Sequence, residues 1–420
     1  MRMMRLISSV FFFLFITNAF GQRCGVGIKV DEDLRLRHES FQRVLENHKI
    51  NSSPNLRVQD GIVRIPVVIH VIHHQRDGRI GGSTNSNITD QQIFSQLKAI
   101  NEDFRRTPGT LGFNTLAVGS DMEIEFFLAQ QDPEGKPSSG ITRTYNSKIN
   151  YNVFNDLDLV SSLAYWDSNK YLNIWVLDFS GLFLGYGEFP GAGVDGLELT
   201  DAAERTDGVF IDFEVFGRRT GTANSGVFSY GRTLTHEIGH WLGLLHIWGD
   251  ERCGDDYIED TPTAERENDT ETCRALFSRC DGFTSRNMIE NYMDYTPDSC
   301  MNVFTLKQKA RVRDVLDLSP RRRRLVLNSQ FLLNSTETVE LNIINNPGLK
   351  NQMQFQVLLP SFQDFSLQFY DILGRKVAER SYSDYPSTVV QARDLKLPNG
   401  MLIMQLQSGD VRITKRIIVL

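Results

Sequence analysis

The rhythm of apolar and polar positions divides the chain into five stretches. Leu6 to Phe20 is almost wholly apolar, follows Arg2 and Arg5, and ends in Ala19-Phe20-Gly21, with small residues at the expected cleavage positions. The run is shorter than the roughly 18–20 apolar residues needed to span a bilayer. Residues 1–21 therefore read as a signal peptide. No later run suits a membrane span, so the mature chain reads as exported. Residues 22–57 are polar, with a helix-compatible middle from Asp33 to Lys49 (Leu34, Phe41, Val44 and Leu45 at loosely helical spacing) and a loop at Asn51-Ser52-Ser53-Pro54-Asn55. Short and separable, this stretch is placed as a pro-segment.

From Ile62 to Ile72 the chain becomes strongly β-prone (Val63, Ile65, Val67, Val68, Ile69, Val71) and predicts the first central strand. Thr89, with Gln92 three residues on, predicts a capped helix through Ile93, Leu97 and Ile100 to about Phe104. Met122–Ala129, Leu172–Phe179 and Gly208–Phe216 read as strands, Asp158–Trp166 as a helix, and 181–196 as an exposed glycine-rich loop with an edge strand. Such alternation predicts a mixed α/β or α+β domain, placed at 58–320. Arg321 to Arg324 reads as a solvated helix end or linker, within 321–335. Short alternating runs follow: Met353–Leu359, Phe365–Ile372, Thr388–Gln391, Met401–Gln407 and Val411–Val419, with turns at Asp371–Arg375 and Leu397–Gly400. They predict a small all-β sandwich over 336–420.

Composition narrows the function. With 420 residues the chain should hold two or three domains, and 40% hydrophobic against 23% charged residues excludes a mainly disordered protein. A net charge of -7 argues against a nucleic-acid partner. Five cysteines are an odd number, so at least one thiol has no partner within the chain. The export signal places them where disulfides form.

The chemistry concentrates in His236-Glu237-Ile238-Gly239-His240-Trp241-Leu242-Gly243-Leu244-Leu245-His246, which holds three of the eight histidines. His236 and His240 stand one helical turn apart and face the same way, the spacing that binds one Zn²⁺. Gly243 permits a tight turn that returns His246 as a third ligand. Three imidazoles leave a fourth position for water, and Glu237, beside the first ligand, is placed to take that water's proton as general base. The expected reaction is hydrolysis of peptide bonds in protein substrates. The rival reading is an exported binding protein that holds zinc without catalysis, against which Glu237 argues.

The full string resembles the metzincin metallopeptidases. Asn291-Tyr292-Met293-Asp294-Tyr295 fits their methionine turn, with Met293 beneath the metal and Tyr295 as the residue that stabilises the tetrahedral intermediate. Ile65-Pro66-Val67-Val68-Ile69-His70-Val71, Leu172-Asn173-Ile174-Trp175-Val176, Gly185-Tyr186-Gly187-Glu188-Phe189-Pro190-Gly191 and Asp207-Gly208-Val209 extend the likeness over about Val58 to Leu318 and resemble the pappalysin family. The resemblance implies an α+β fold, a twisted mixed sheet and an active-site helix flanking a substrate cleft. It also implies the disulfides Cys253–Cys280 and Cys273–Cys300, among the three pairings that four cysteines allow. Asp255-Asp256-Tyr257-Ile258-Glu259-Asp260-Thr261 is a carboxylate-rich loop of the kind that holds Ca²⁺. The family match points to Asp256 and Thr261, with the backbone oxygens of Asp255 and Ile258, as ligands.

Arg23-Cys24-Gly25 resembles the segments that keep some metzincin precursors latent, with the Cys24 thiolate in the open zinc position and cleavage near Arg57 removing it. Asp298 would favour a basic residue after the scissile bond. Asn346-Pro347, Tyr370-Asp371-Ile372-Leu373-Gly374-Arg375, Leu397-Pro398-Asn399-Gly400-Met401 and Lys415-Arg416-Ile417-Ile418-Val419 resemble the type IX secretion sorting domain, although Met401 replaces its usual aromatic. This implies outer-membrane secretion machinery as a partner, and a protein either released or held at the cell surface.

Overall fold

The structure is a computed structural model that describes residues 22–25, 32–51, 61–179, 183–192, 201–268, 270–280, 282–332 and 338–420. The expected leader, the loop at 52–55 and Arg57 lie outside these residues.

Among the described residues the main sheet has seven strands: β1 (Gln22–Cys24), β2 (Val63–His73), β3 (Ile124–Leu128), β4 (Ile141–Tyr145), β5 (Leu172–Leu177), β6 (Phe183–Gly187) and β7 (Gly208–Asp212). Their order is β1-β6-β7-β5-β2-β3, with β4 against the later half of β2. β2, β3, β4, β5 and β7 are parallel, while β6 runs antiparallel to β7. β2 and β5 are buried nearly throughout, as their unbroken apolar runs require of strands covered on both faces.

Among the described residues, seven helices accompany the strands: α1 (Glu32–Asn51), α2 (Asp90–Phe104), α3 (Leu157–Leu163), α4 (Asp201–Thr206), α5 (Arg232–Trp241), α6 (Leu306–Leu318) and α7 (Pro320–Leu332). Thr89 caps α2 by accepting the Gln92 N–H, as expected. Thr305 and Gln308 form a reciprocal capping box on α6. A hairpin, β8 (Phe277–Cys280) with β9 (Phe283–Arg286), follows α5.

The C-terminal unit packs two sheets, β10 (Glu340–Ile344), β11 (Gln354–Leu358) and β14 (Thr388–Gln391) against β13 (Lys376–Tyr385), β12 (Gln363–Tyr370), β15 (Gly400–Ser408) and β16 (Val411–Val419). Phe355, Val357, Leu367, Phe369, Met404, Leu406 and Ile417 fill the space between them. The molecule is thus α+β, with a mixed-sheet domain followed by an all-β sandwich. β13 escapes sequence reading because most of its side chains face solvent and only Tyr382 and Tyr385 are buried.

Two sequence expectations are corrected. Residues 321–335 are not a linker through their length: α7 packs against β2 and α6, with Leu325 and Val326 in the core. Nor is the glycine-rich stretch simply exposed. Gly185 and Gly187 are buried because β6 packs on α5, Pro190 and Gly191 are buried too, and Ala192 is buried against Phe41, Leu45 and Val315. A Cβ on Gly187 would stand 2.2 Å from the Glu237 carbonyl oxygen, and one on Gly185 2.6 Å from the Glu237 side chain.

Candidate active site

The site is built on α5, every residue of which is buried. The helix begins at Gly231 in the left-handed region (φ 81), and none of its own side chains caps it. Asp298 does so from 66 positions away, its Oδ2 accepting the N–H groups of Tyr230 (2.9 Å) and Arg232 (3.0 Å). A carboxylate here satisfies orphan donors and complements the helix dipole. Asp103 of α2 accepts from Thr235 Oγ1 at 2.8 Å and pairs with Arg232 at 3.2 Å, both partners being buried. The helix ends as the sequence predicts. Gly243 has φ +85, its N–H returns to the His240 carbonyl at 2.8 Å, and Leu244 N–H reaches the Gly239 carbonyl at 2.9 Å.

This turn brings His246 back to His236 and His240. Each Nδ1 faces an acceptor: the Tyr292 carbonyl for His236 (2.7 Å), the Leu244 carbonyl for His240 (2.8 Å) and the Asp250 carboxylate for His246. Each Nδ1 therefore carries the hydrogen and each Nε2 presents a lone pair. Burial, and His246 nearby, hold His240 neutral, its pKa well below the usual histidine range. The three Nε2 atoms stand 3.1, 3.1 and 3.2 Å apart. Lone pairs converging so closely call for a cation among them, and tetrahedral zinc with Zn–N near 2.0–2.1 Å sets ligand atoms about 3.3 Å apart. The donor set fits zinc.

Below the histidines, Met293 is fully buried, and a Cβ on Gly239 would stand 2.4 Å from its sulfur, so only glycine permits this approach. Asn291 holds the turn through Met293 N–H (2.9 Å) and a two-way amide pair with Gln308 (3.0 and 3.1 Å). Tyr295 packs its ring against His236 (5.8 Å between centroids), His246 (5.0 Å) and Trp248 (4.8 Å). Trp248 in turn stacks on His246 at 4.3 Å. Sequence reasoning missed Asp250, Trp248, Asp103 and Arg232. For Asp250 a signal existed: a carboxylate four residues past the third histidine.

Both disulfides expected from the resemblance are present: Cys253–Cys280 ties the loop after α5 to β8, and Cys273–Cys300 ties the segment before β8 to the segment after the methionine turn. Cys24 is in neither bridge. It is fully buried, its Sγ 3.4 Å from Glu237 Oε2, and the four metal-ligating atoms of Cys24, His236, His240 and His246 lie within 4.8 Å of one another. β1 carries it there by pairing parallel with β6 (Cys24 opposite Gly185), and Gly25 N–H donates to the Gly185 carbonyl at 2.9 Å. α1 docks farther off, with Phe41 and Leu45 packed against Ala192 and Val315, and Gln42 bonded to Arg311. Arg311 in turn donates to the Gly243 carbonyl at 2.7 Å.

In the carboxylate loop, Thr261 Oγ1 lies 2.8 and 3.0 Å from the two Asp256 oxygens and 2.7 Å from the Ile258 carbonyl. Burial pushes the Asp256 carboxyl up to about 7, with Thr261 and Ile258 opposing. A buried oxygen cluster around a carboxyl so reluctant to ionise suits a hard cation. The Asp255 side chain instead accepts Tyr257 N–H at 2.7 Å, and Asp260 binds the start of α6 through Thr305 (2.6 Å) and Lys307 N–H (3.0 Å).

A buried three-histidine metal site on a helix below a mixed sheet, with a carboxylate beside the first ligand and a methionine turn beneath, defines a metallopeptidase class. Residues 154–317 match the family described as Pregnancy-associated plasma protein-A, and residues 342–420 match a secretion system C-terminal sorting domain. An extracellular metalloprotease of Arthroderma otae is 30% identical, over 54% of this chain and 72% of that protein. Another, from Verticillium alfalfae, is 27% identical over 66% and 84%. Among solved structures, a promirolysin mutant of Tannerella forsythia superposes with TM-score 0.63 at 34% identity, covering 74% of this chain and all of that one. Mature mirolysin with a cleaved peptide gives 0.55 at 36%, covering 66% and 100%. The chain belongs to the pappalysin family of metalloproteases and is a secreted member with a sorting tail.

Proposed function

We propose that this protein is a zinc endopeptidase made as a latent precursor. The observation that carries the reading is the convergence of three imidazole lone pairs beside Glu237, with the Cys24 thiol closing the same site. His236, His240 and His246 hold the metal. When bound, zinc supplies a Lewis acid that acidifies water and polarises the scissile carbonyl. Glu237 takes the proton of the attacking water and passes it to the departing nitrogen. The Tyr295 hydroxyl donates to the oxygen that gains negative charge. β6 offers its edge to an extended substrate, since β1 now occupies it by backbone pairing. In the precursor Cys24 would join the three histidines in holding the metal and stands 3.4 Å from Glu237 Oε2, so its departure would free both the metal and Glu237. Asp298 lies at the start of α5, close to the methionine turn, and a preference for a basic residue after the scissile bond would be its contribution.

Asp256, Ile258 and Thr261, joined by the Asp255 carbonyl, hold a structural calcium ion in this reading. The C-terminal sandwich hands the protein to the outer-membrane secretion machinery.

Replacing Glu237 by Gln keeps the shape and removes the base. The expected result is zinc content equal to wild type and a kcat on casein peptides lower by about 10²–10⁴-fold. Wild-type turnover in that variant would sink the mechanism. Cys24→Ala in the full chain should abolish the activation lag, and an unchanged lag would remove the latency role.

A further inference from the structure

The four-arginine run is only half solvated. Arg323 and Arg324 are exposed, whereas Arg321 is 7% and Arg322 1% exposed. Arg322 Nη1 lies 2.7 Å from both Asp207 oxygens. Its Nε donates to the Trp241 carbonyl at 2.9 Å, its Nη2 reaches the Glu188 carbonyl at 3.3 Å, and its guanidinium lies 3.9 Å over the Trp241 ring. The Trp241 indole N–H donates to Asp207 at 3.0 Å. Arg321 adds a contact to Asp207 at 3.2 Å and stands 3.8 Å from Glu204, so two cations meet two carboxylates.

The position of these contacts matters more than their number. Trp241 directly follows the ligand His240, and its carbonyl is one that α5 leaves without an intrahelical partner. A cation there also complements the helix dipole. Glu188 directly follows β6, the strand whose edge the substrate would join. One buried guanidinium therefore bridges the metal-bearing helix to the substrate-bearing strand. A buried ion cluster adds little net stability over apolar packing, but it fixes direction. Lysine cannot substitute, because one ammonium cannot reach these groups and lie over the indole in the same geometry.

We infer that Arg322, backed by Asp207, is a positioning residue for peptide hydrolysis, and that α7 completes the catalytic unit. The inference rests on the zinc-peptidase reading; Arg322 and α7 lie beyond the family match, which ends at residue 317, while Asp207, Trp241 and Glu188 lie within it. Misplacing reacting groups by about 1 Å can cost as much as 10²-fold in rate, so a loosened clamp should be visible in turnover.

The test compares the full-length protein with its Arg322→Lys and Arg324→Gln variants. Activity is measured after activation, well below the thermal midpoint, and zinc release into excess chelator is measured before activation. For Arg322→Lys, kcat should fall about tenfold with KM changed less than about twofold. Zinc release should quicken about tenfold, as for loss of other groups that orient metal ligands. Arg324→Gln should match wild type in both. A lowered thermal midpoint with wild-type kcat and zinc release overturns the inference, as does a change confined to KM. Should Arg322→Lys not fold, Trp241→Phe removes the indole bond to Asp207 and part of the ring beneath the guanidinium, and faces the same readouts. An unmodified protein without zinc or activity would instead refute the hydrolase reading itself.

Discussion

Two interiors of this molecule are held together by different chemistry. Around α5 buried charges stand within the apolar core, each with specific partners: Asp103 with Arg232, Asp207 with Arg321 and Arg322, and Asp298 with two backbone N–H groups. Between the sheets of the C-terminal sandwich the buried groups are apolar: Phe355, Leu367, Phe369, Met404, Leu406 and Ile417 are all fully buried. Among the described residues of the sandwich no charged side chain is buried. Apolar burial is non-directional and supplies stability wherever surfaces fit. Buried charge pairs supply direction, at a desolvation cost that offsets most of their attraction. The unit that performs chemistry adds the second device to the first, and the unit read as an address label uses the first alone.

Arg232→Met gives the largest expected effect. It strands Asp103 without its cation inside the protein, which typically costs about 3–5 kcal/mol. Denaturant unfolding should register that loss, and peptidase activity should go with it, because Arg232 opens the helix that carries His236 and Glu237. Leu367→Ala removes a fully buried side chain from the sandwich and should cost about 2–5 kcal/mol in that unit's unfolding. Activity of the activated enzyme in solution should stay within about twofold of wild type, since no ligand of the site is displaced. A loss of activity in this variant equal to that of Arg232→Met would break the contrast between the two interiors.

The same contrast explains what could be read from the chain. Apolar periodicity placed α2, β2, β14 and β16 close to their observed bounds, because alternation and helical spacing are local signals. The metal helix was legible because His236, Glu237, His240, Gly243 and His246 answer to one another within a few turns of chain. Arg232 and Asp103 do not: 129 positions separate them, and nothing near either marks the partner. Arg321 and Arg322 were assigned to a solvated helix end because charge runs usually are, and their carboxylate lies more than a hundred positions upstream. β13 was lost for the opposite reason, since its outward residues give a polar strand little apolar rhythm.

Asp256 offers the smallest test and the most graded one, because it is a polar group buried without a full charge partner. Burial raises its folded pKa to about 7, above the unfolded value near 3.9, so the folded state favours the neutral acid. By linkage, the stability this group contributes is fully present below about pH 4 and is lost as pH rises through about 7. A cation in the loop needs the ionised carboxylate, so calcium should offset the loss where it occurs. At about pH 8, calcium at a hundredfold excess over its dissociation constant should stabilise the protein by about 2–3 kcal/mol, read as a raised thermal midpoint. At about pH 5 the same calcium concentration should do much less, because protons hold the site. Asp256→Asn keeps an oxygen for the Thr261 hydroxyl and removes the titration, so it should flatten the pH dependence and abolish the calcium response together. An equal calcium shift at both pH values, or one that survives Asp256→Asn, would show that the cation binds elsewhere and that this carboxyl is buried as a neutral acid for the sake of the loop alone.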